Sequence, residues 1–173
     1  VLDPQEGEYV CDPCCGSGGF LIRSFEYVRE QIESELKQRK EEIKAQLIPN
    51  NYDDLKTKEQ EDIDTRISDV FAKMNYEVDL SNKKGRLRSL SFNCIYGTDA
   101  NPRMARTAKM NMIMHGDGHG GVHHHDGLLN VNGIWDGRFD VILTNPPFGA
   151  RVDKDCIITE ADKFTDDVKI NAY

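Results

Sequence analysis

No apolar run in this sequence approaches the roughly 18 residues that a membrane-crossing helix needs. The opening Val1-Leu2-Asp3-Pro4 also lacks the charged start and apolar stretch of a secretory signal. Both absences point to a globular chain in water, with the cytoplasm as the expected location. Basic charge is scarce too: 22 Lys and Arg stand against 30 Asp and Glu, a formal net charge of −8. Proteins that grip nucleic acid unaided usually carry a basic surface that releases counterions from phosphate. This chain is expected to do so only weakly by itself. Cysteine is odd in number and crowded, with Cys11, Cys14 and Cys15 in one turn and Cys94 and Cys156 apart, so reduced thiols are expected rather than a disulfide framework. The single tryptophan, Trp135, sits between Gly133 and Gly137 and reads as a loop anchor. There is no internal repeat and no low-complexity tract.

What remains is an ordinary globular composition, 38% hydrophobic over 173 residues, enough for one domain with a core. Glu8-Tyr9-Val10-Cys11 reads as a short strand feeding a glycine turn. Leu21, Phe25, Val28, Ile32 and Leu36, then Ile43 and Leu47, recur at the steps of one helix face, which Pro49 ends. Ile63, Ile67, Val70, Met74 and Val78 mark a second helix over about 54–78. Between Glu26 and Arg88 lie 15 acidic and 13 basic side chains, a balance that describes two amphipathic helices with solvated faces, forming a hairpin or packing arm. Residues 91–97 read as a second strand ending at Thr98-Asp99, and Asn101-Pro102 starts a helix to about His115. Short strands are expected over 122–125, ending at Asp126, and over 139–144, ending at Asn145. Strands alternating with helices imply a parallel α/β sheet with right-handed crossovers, whose ligands bind at the carboxyl ends of the strands.

The residues that carry chemistry lie at those ends. In Asp12-Pro13-Cys14-Cys15-Gly16-Ser17-Gly18-Gly19 the glycines let backbone approach a ligand, and the following helix points its positive end at the same space. Free amides on one side and the Asp12 carboxylate on the other suit the zwitterionic methionine end of S-adenosylmethionine. A dinucleotide suits less well, because Leu21 stands where its fingerprint needs a third glycine. Asp99 is placed to take two ribose hydroxyls and Asp126 to lie near an adenine amino group. Thr144-Asn145-Pro146-Pro147-Phe148 supplies an amide oxygen, a rigid carbonyl and an aromatic face. An exocyclic amino group is a poor nucleophile because its lone pair is delocalised. The Asn145 oxygen and the Pro146 carbonyl can accept its hydrogens and favour the pyramidal nitrogen formed during attack on a methyl group, while Phe148 stacks on an extruded base.

These segments, with Asp99-Ala100-Asn101-Pro102 and Asp126-Gly127-Leu128-Leu129, closely resemble the modification subunit of type I restriction-modification systems, the adenine-N6 DNA methyltransferases. The resemblance spans about 10–149 and implies a Rossmann-like S-adenosylmethionine-dependent methyltransferase fold, here a partial parallel sheet with a helical insertion at about 26–90. It implies cofactor contacts at Asp12, Cys14, Gly16, Ser17, Gly18, Asp99, Ala100, Asp126, Gly127 and Asn145, and a catalytic set of Asn145, Pro146, Pro147 and Phe148. Direct in-line transfer is expected, without a covalent enzyme intermediate or a general base. DNA, a specificity subunit and a restriction subunit are the implied partners, and sequence recognition by the specificity subunit fits the acidic charge balance. Cys14 stands where the family commonly has alanine, and the family's Phe-Thr-Pro segment has no match before Val10. The chain is expected to be a piece of a longer protein. Asn-Pro-Pro-aromatic sites also serve methyltransferases of ribosomal guanine N2 and of release-factor glutamine, and a non-catalytic assembly module is a third reading. No metal site is expected: His123-His124-His125 alternate across a strand, Gly116-Asp117-Gly118 interrupts His115 and His119, and the cysteines lack a second pair. Residues 150–165 are read as a mobile active-site loop.

Overall fold

The computed structural model describes residues 2–118, 121–127 and 137–146. Four parallel strands, β1 (Val10–Asp12), β2 (Ile95–Asp99), β3 (Val122–His124) and β4 (Val141–Ile142), form one sheet in the order β3-β2-β1-β4. Leaving β1, the chain crosses to β2 on one side, while β4 lies on the other. The order therefore reverses at β1, and such a point is where open α/β sheets keep their ligand crevice.

Helix α1 (Gly19–Leu47) crosses from β1, and α4 (Pro102–Met114) crosses from β2 to β3. Both pack on the same face: Gly97 of β2 lies against Leu21, and Gly18 approaches Ala108 of α4. Leu21, Phe25, Val28 and Ile32 are buried with Val10, Ile95, Ala105, Ala108 and Met112 in one core, the stripe that the heptad-like spacing describes. On the other face Tyr96, paired with Cys11, packs with Tyr9 and Phe139, and the Arg138 guanidinium stacks on all three rings.

Beyond Leu36 no residue of α1 is buried. A 29-residue helix is about 43 Å long, against roughly 7–17 Å for these strands, so its second half overshoots the sheet. There it meets α2 (Thr57–Glu77): Lys40 donates to the Asn75 side chain at 2.5 Å, and Lys40 and Lys44 lie over the Phe71 ring. A helical hairpin results. Helix α2 starts at Thr57 rather than near 54, because a separate turn occupies Tyr52–Asp54 and the Glu59 carboxylate accepts the Lys56 amide at 3.1 Å.

One expected strand is shorter than its sequence suggests. Residues 91–94 are not extended. Helix α3 (Arg86–Ser89) runs into a wider π turn, Leu90–Cys94, before β2 begins at Ile95. Leu87, Leu90, Ser91 and Cys94 are spaced as a helix face, three of the four are buried, and the Ser91 hydroxyl donates to the Leu87 carbonyl at 2.9 Å. Burial at helical spacing outweighs the β propensity of Phe92. Strand β4 is likewise only two residues long; Leu143 still donates to the Cys11 carbonyl at 3.0 Å, while the Asp140 carboxylate takes the Tyr9 amide at 2.8 Å.

Candidate functional site

The glycine turn leaves β1 through contacts that its own sequence does not announce. Cys15 N–H donates to the Thr98 carbonyl at 2.8 Å, Gly16 N–H to the Asp99 carboxylate at 2.9 Å, and the Asn111 amide to the Ser17 carbonyl at 2.9 Å. Strand β2 and helix α4 thus hold the turn in place. Gly16 and Gly18 take φ of 54° and 89°, a region that L side chains seldom adopt. Ile22 is the first residue to bond back along α1, to Gly18 at 2.9 Å. The amides of Gly19, Phe20 and Leu21 are left without a helical acceptor, and no acidic side chain occupies this first turn. This end of α1 is open to an anion.

Asp12 faces the opposite chemistry. It is 1% exposed, and one carboxylate oxygen accepts the Cys14 amide at 3.0 Å. Burial raises its pKa, while the Cys14 amide and Thr144 hold that rise in check. A buried carboxylate of this kind gains from a cationic neighbour. Asp99 has one oxygen on Gly16 and the other on the Asn101 amide at 2.7 Å; each keeps a second lone pair for a hydroxyl. The Cys14 thiol is raised by burial first, held back by Thr144, and raised further by the charges of Asp12, Asp99 and Asp126. Burial also pushes the Cys11 and Cys15 thiols up to about 12. They stay protonated near neutral pH and are not nucleophiles.

A cavity of about 440 Å³ opens between the turn and the end of β4, bordered by Asp12, Cys14, Cys15, Gly16, Ser17, Gly19, Phe20, Arg23 and Asn145. That is the size of a small-molecule site. Five expected residues, Asp12, Cys14, Gly16, Ser17 and Asn145, border it. Gly18 caps α1 beside it, and Pro146 follows Asn145 in exposed backbone. Ala100, Asp126 and Gly127 lie toward the β3 side. Ala100 accepts a bond from the His124 ring at 3.1 Å, and a Cβ on Gly127 would strike the Pro13 carbonyl. Pro147 and Phe148 lie outside the described residues, as do Leu128, Leu129, Trp135, His119, Cys156 and the expected loop at 150–165.

Sequence reasoning passed over Thr144, which reaches Asp12 and Cys14 from β4, and over Phe20 and Arg23 at the cavity rim. The signal for Thr144 was its alternation with Leu143 along a strand. For Arg23 it was a first-turn position beside the open amides.

A family model described as N-6 DNA Methylase matches residues 1–79 and 79–172. The chain belongs to this family. Two curated relatives are each 28% identical: the type I restriction enzyme EcoEI methylase subunit of Escherichia coli, over 86% of this chain, and the StySPI methylase subunit of Salmonella potsdam, over 87%. The chain spans 20% and 21% of their lengths, about a fifth. Among solved structures, a modification subunit of a putative type I restriction enzyme from Vibrio vulnificus YJ016 superposes with a TM-score of 0.51 at 27% identity, over 96% of this chain and 24% of that one. The chain thus shares the α/β architecture of that modification subunit.

Proposed function

We propose that the chain carries the cofactor site and acceptor corner of an adenine-specific DNA methyltransferase, transferring a methyl group from S-adenosylmethionine to adenine N6 within the modification subunit of a type I restriction-modification system. One observation carries the reading: the glycine turn after β1 and Asn145 after β4 border a single cavity at the point where the strand order reverses. The donor set fits the cofactor, since buried Asp12 suits its ammonium, the open amides of α1 its carboxylate, and Asp99 its ribose hydroxyls. Asp126 and Gly127 would lie by its adenine, beside Ala100. When bound, S-adenosylmethionine supplies an electrophilic methyl group on a sulfonium.

The chain's own groups do the rest. The Asn145 oxygen and the Pro146 carbonyl accept the two hydrogens of the target amino group, turning its lone pair toward the cavity. Pro146 and Pro147 keep those acceptors rigid, and Phe148 stacks on the extruded base. The proton leaves to water after transfer, so no side chain acts as general base. With a chain of net charge −8, a specificity subunit supplies most of the grip on DNA, a restriction subunit completes the assembly, and the cytoplasm is the compartment. Residues 1–173 form part of the catalytic domain, with the helical insertion at about 26–90.

Asn145→Ala separates this reading from an assembly role. With the subunit in its complex, methylation of DNA should fall by about 10²–10³-fold, as for loss of one oriented polar group at a reacting centre, while calorimetry still shows S-adenosylmethionine bound. Unchanged turnover sinks the proposal.

A further inference from the structure

Helix α4 departs from the acidity of the chain. Between Pro102 and Met114 it contains Arg103, Arg106 and Lys109 and no acidic residue. The three recur every third position, about 4.5 Å apart along the axis, and all are exposed. Among the described residues none of them meets a carboxylate, although six ion pairs form elsewhere. Beside them, α4 and the edge strand β3 enclose a second groove of about 270 Å³, bordered by Pro102, Arg106, Lys109, Val122, His123 and His124. Among the described residues no carboxylate borders it. The groove opens at the same sheet edge as the candidate cofactor site, since His124 bonds the Ala100 carbonyl just past β2.

We infer that this groove binds a phosphate of the DNA backbone flanking the target base. Arg106 offers the planar fork that matches phosphate oxygens, and Lys109 a mobile point charge. The nearby carboxylates are Asp99, whose two oxygens accept backbone amides, and Asp126 just past β3. From β4 to β3 is three strand spacings, about 14 Å, so a phosphate held here lies to the side of a base at Asn145 and not on it. A locally basic groove on an acidic body also orients DNA, because the surrounding charge repels it everywhere else.

The inference rests on the DNA reading above, yet it fails separately. Binding of a short labelled duplex by anisotropy is followed from low to high salt for the wild-type chain, an Arg106→Gln/Lys109→Gln variant and a Lys58→Gln/Lys73→Gln control on α2. The groove variant should lower the slope of log K against log salt by about one, at roughly 0.9 for the one phosphate held, and weaken binding by up to about tenfold near 0.1 M salt. The control should keep the wild-type slope. S-adenosylmethionine titration of each protein checks that the fold and cofactor site are intact. Equal slopes for wild type and groove variant, or an equal drop in the control, overturn the inference while leaving the cofactor reading standing. So does a wild-type chain that binds the cofactor but no duplex even at the lowest salt, where the weak grip of the chain alone is strongest. If polyglutamate displaces the duplex at matched charge from the wild type and not from the groove variant, the groove is a dock for an acidic protein and the DNA assignment is overturned.

Discussion

Asp12 is a carboxylate buried beside a cavity, and its two tasks conflict. Burial raises its pKa above the ordinary aspartate value, so the folded state favours the protonated acid. The associated stability is fully present below the unfolded pKa, about 3.9, and is lost as pH rises through the higher folded value. At neutral pH the folded chain therefore holds an unfavourable charge, retained for a cationic ligand. Asp12→Asn should leave the melting temperature at pH 7 equal or higher, with any gain vanishing below about pH 4, and should weaken S-adenosylmethionine binding at least tenfold. A melting temperature that falls at pH 7, with affinity unchanged, contradicts this account. Glycines bound the same site more simply. Gly127→Ala drives a methyl group into the Pro13 carbonyl, so the turn must shift, and both melting temperature and cofactor affinity should drop. Gly18→Ala, at φ 89° and 3.3 Å from the Ala108 Cβ, should lose about 1–2 kcal/mol in denaturant titration. Residues such as Asp12, Gly16 and Gly18 were legible because their chemistry is written in eight consecutive positions. The bond from Gly16 to Asp99 spans 83 residues and exists only once β1 and β2 pair in register, which no local pattern specifies.

Among the elements, α1 and α4 were legible almost to the residue because each has an apolar stripe and a boundary signal, Pro49 after the end of one and Asn101-Pro102 at the start of the other. The Asn101 side chain accepts the Arg103 amide at 2.9 Å, a true cap. Residues 91–94 were misread because short apolar runs fit a strand or a buried turn of helix equally well until their partners are known. The short helix before them does a further task. Arg86 in α3 grips Glu6 through two nitrogens, Nε to Oε1 at 2.9 Å and Nη2 to Oε2 at 2.5 Å, and reaches Glu35 on α1 at 2.6 Å. It ties the segment before β1 to the base of the hairpin. Arg86 also holds the Glu35 carboxyl below its usual range, so this stabilisation exists above the unfolded glutamate pKa and is lost as pH falls through the depressed value. Arg86→Met should lower stability by about 1 kcal/mol or less, since the carboxylates are partly exposed. The deficit should shrink in high salt and disappear in acid. A deficit unchanged between pH 7 and pH 3 would point to lost packing instead.

At the scale of the molecule, the cavity and the hairpin are separable. Every residue bordering the 440 Å³ cavity lies before residue 24 or after 144, and the buried positions of α1 end at Leu36. Past that point α1 packs on α2, which buries only Ile67 and Met74. Because Lys40 touches Asn75 across the hairpin, the chain can be closed there by a linker of about three residues, each spanning up to roughly 3.5 Å. A chain lacking residues 41–74 should still bind S-adenosylmethionine within about threefold of the parent, since α1 keeps its whole core stripe through Leu36. Its melting temperature should fall by several degrees, because the contacts of Ile67 and Met74 are lost; about 1 kcal/mol shifts a domain of this size by roughly 2–4 °C. If the projecting arm docks a partner subunit, DNA methylation by the assembled complex should fall with its removal while cofactor affinity is spared. Loss of more than tenfold in that affinity would instead make the hairpin part of the cofactor site, joined to it through the length of α1.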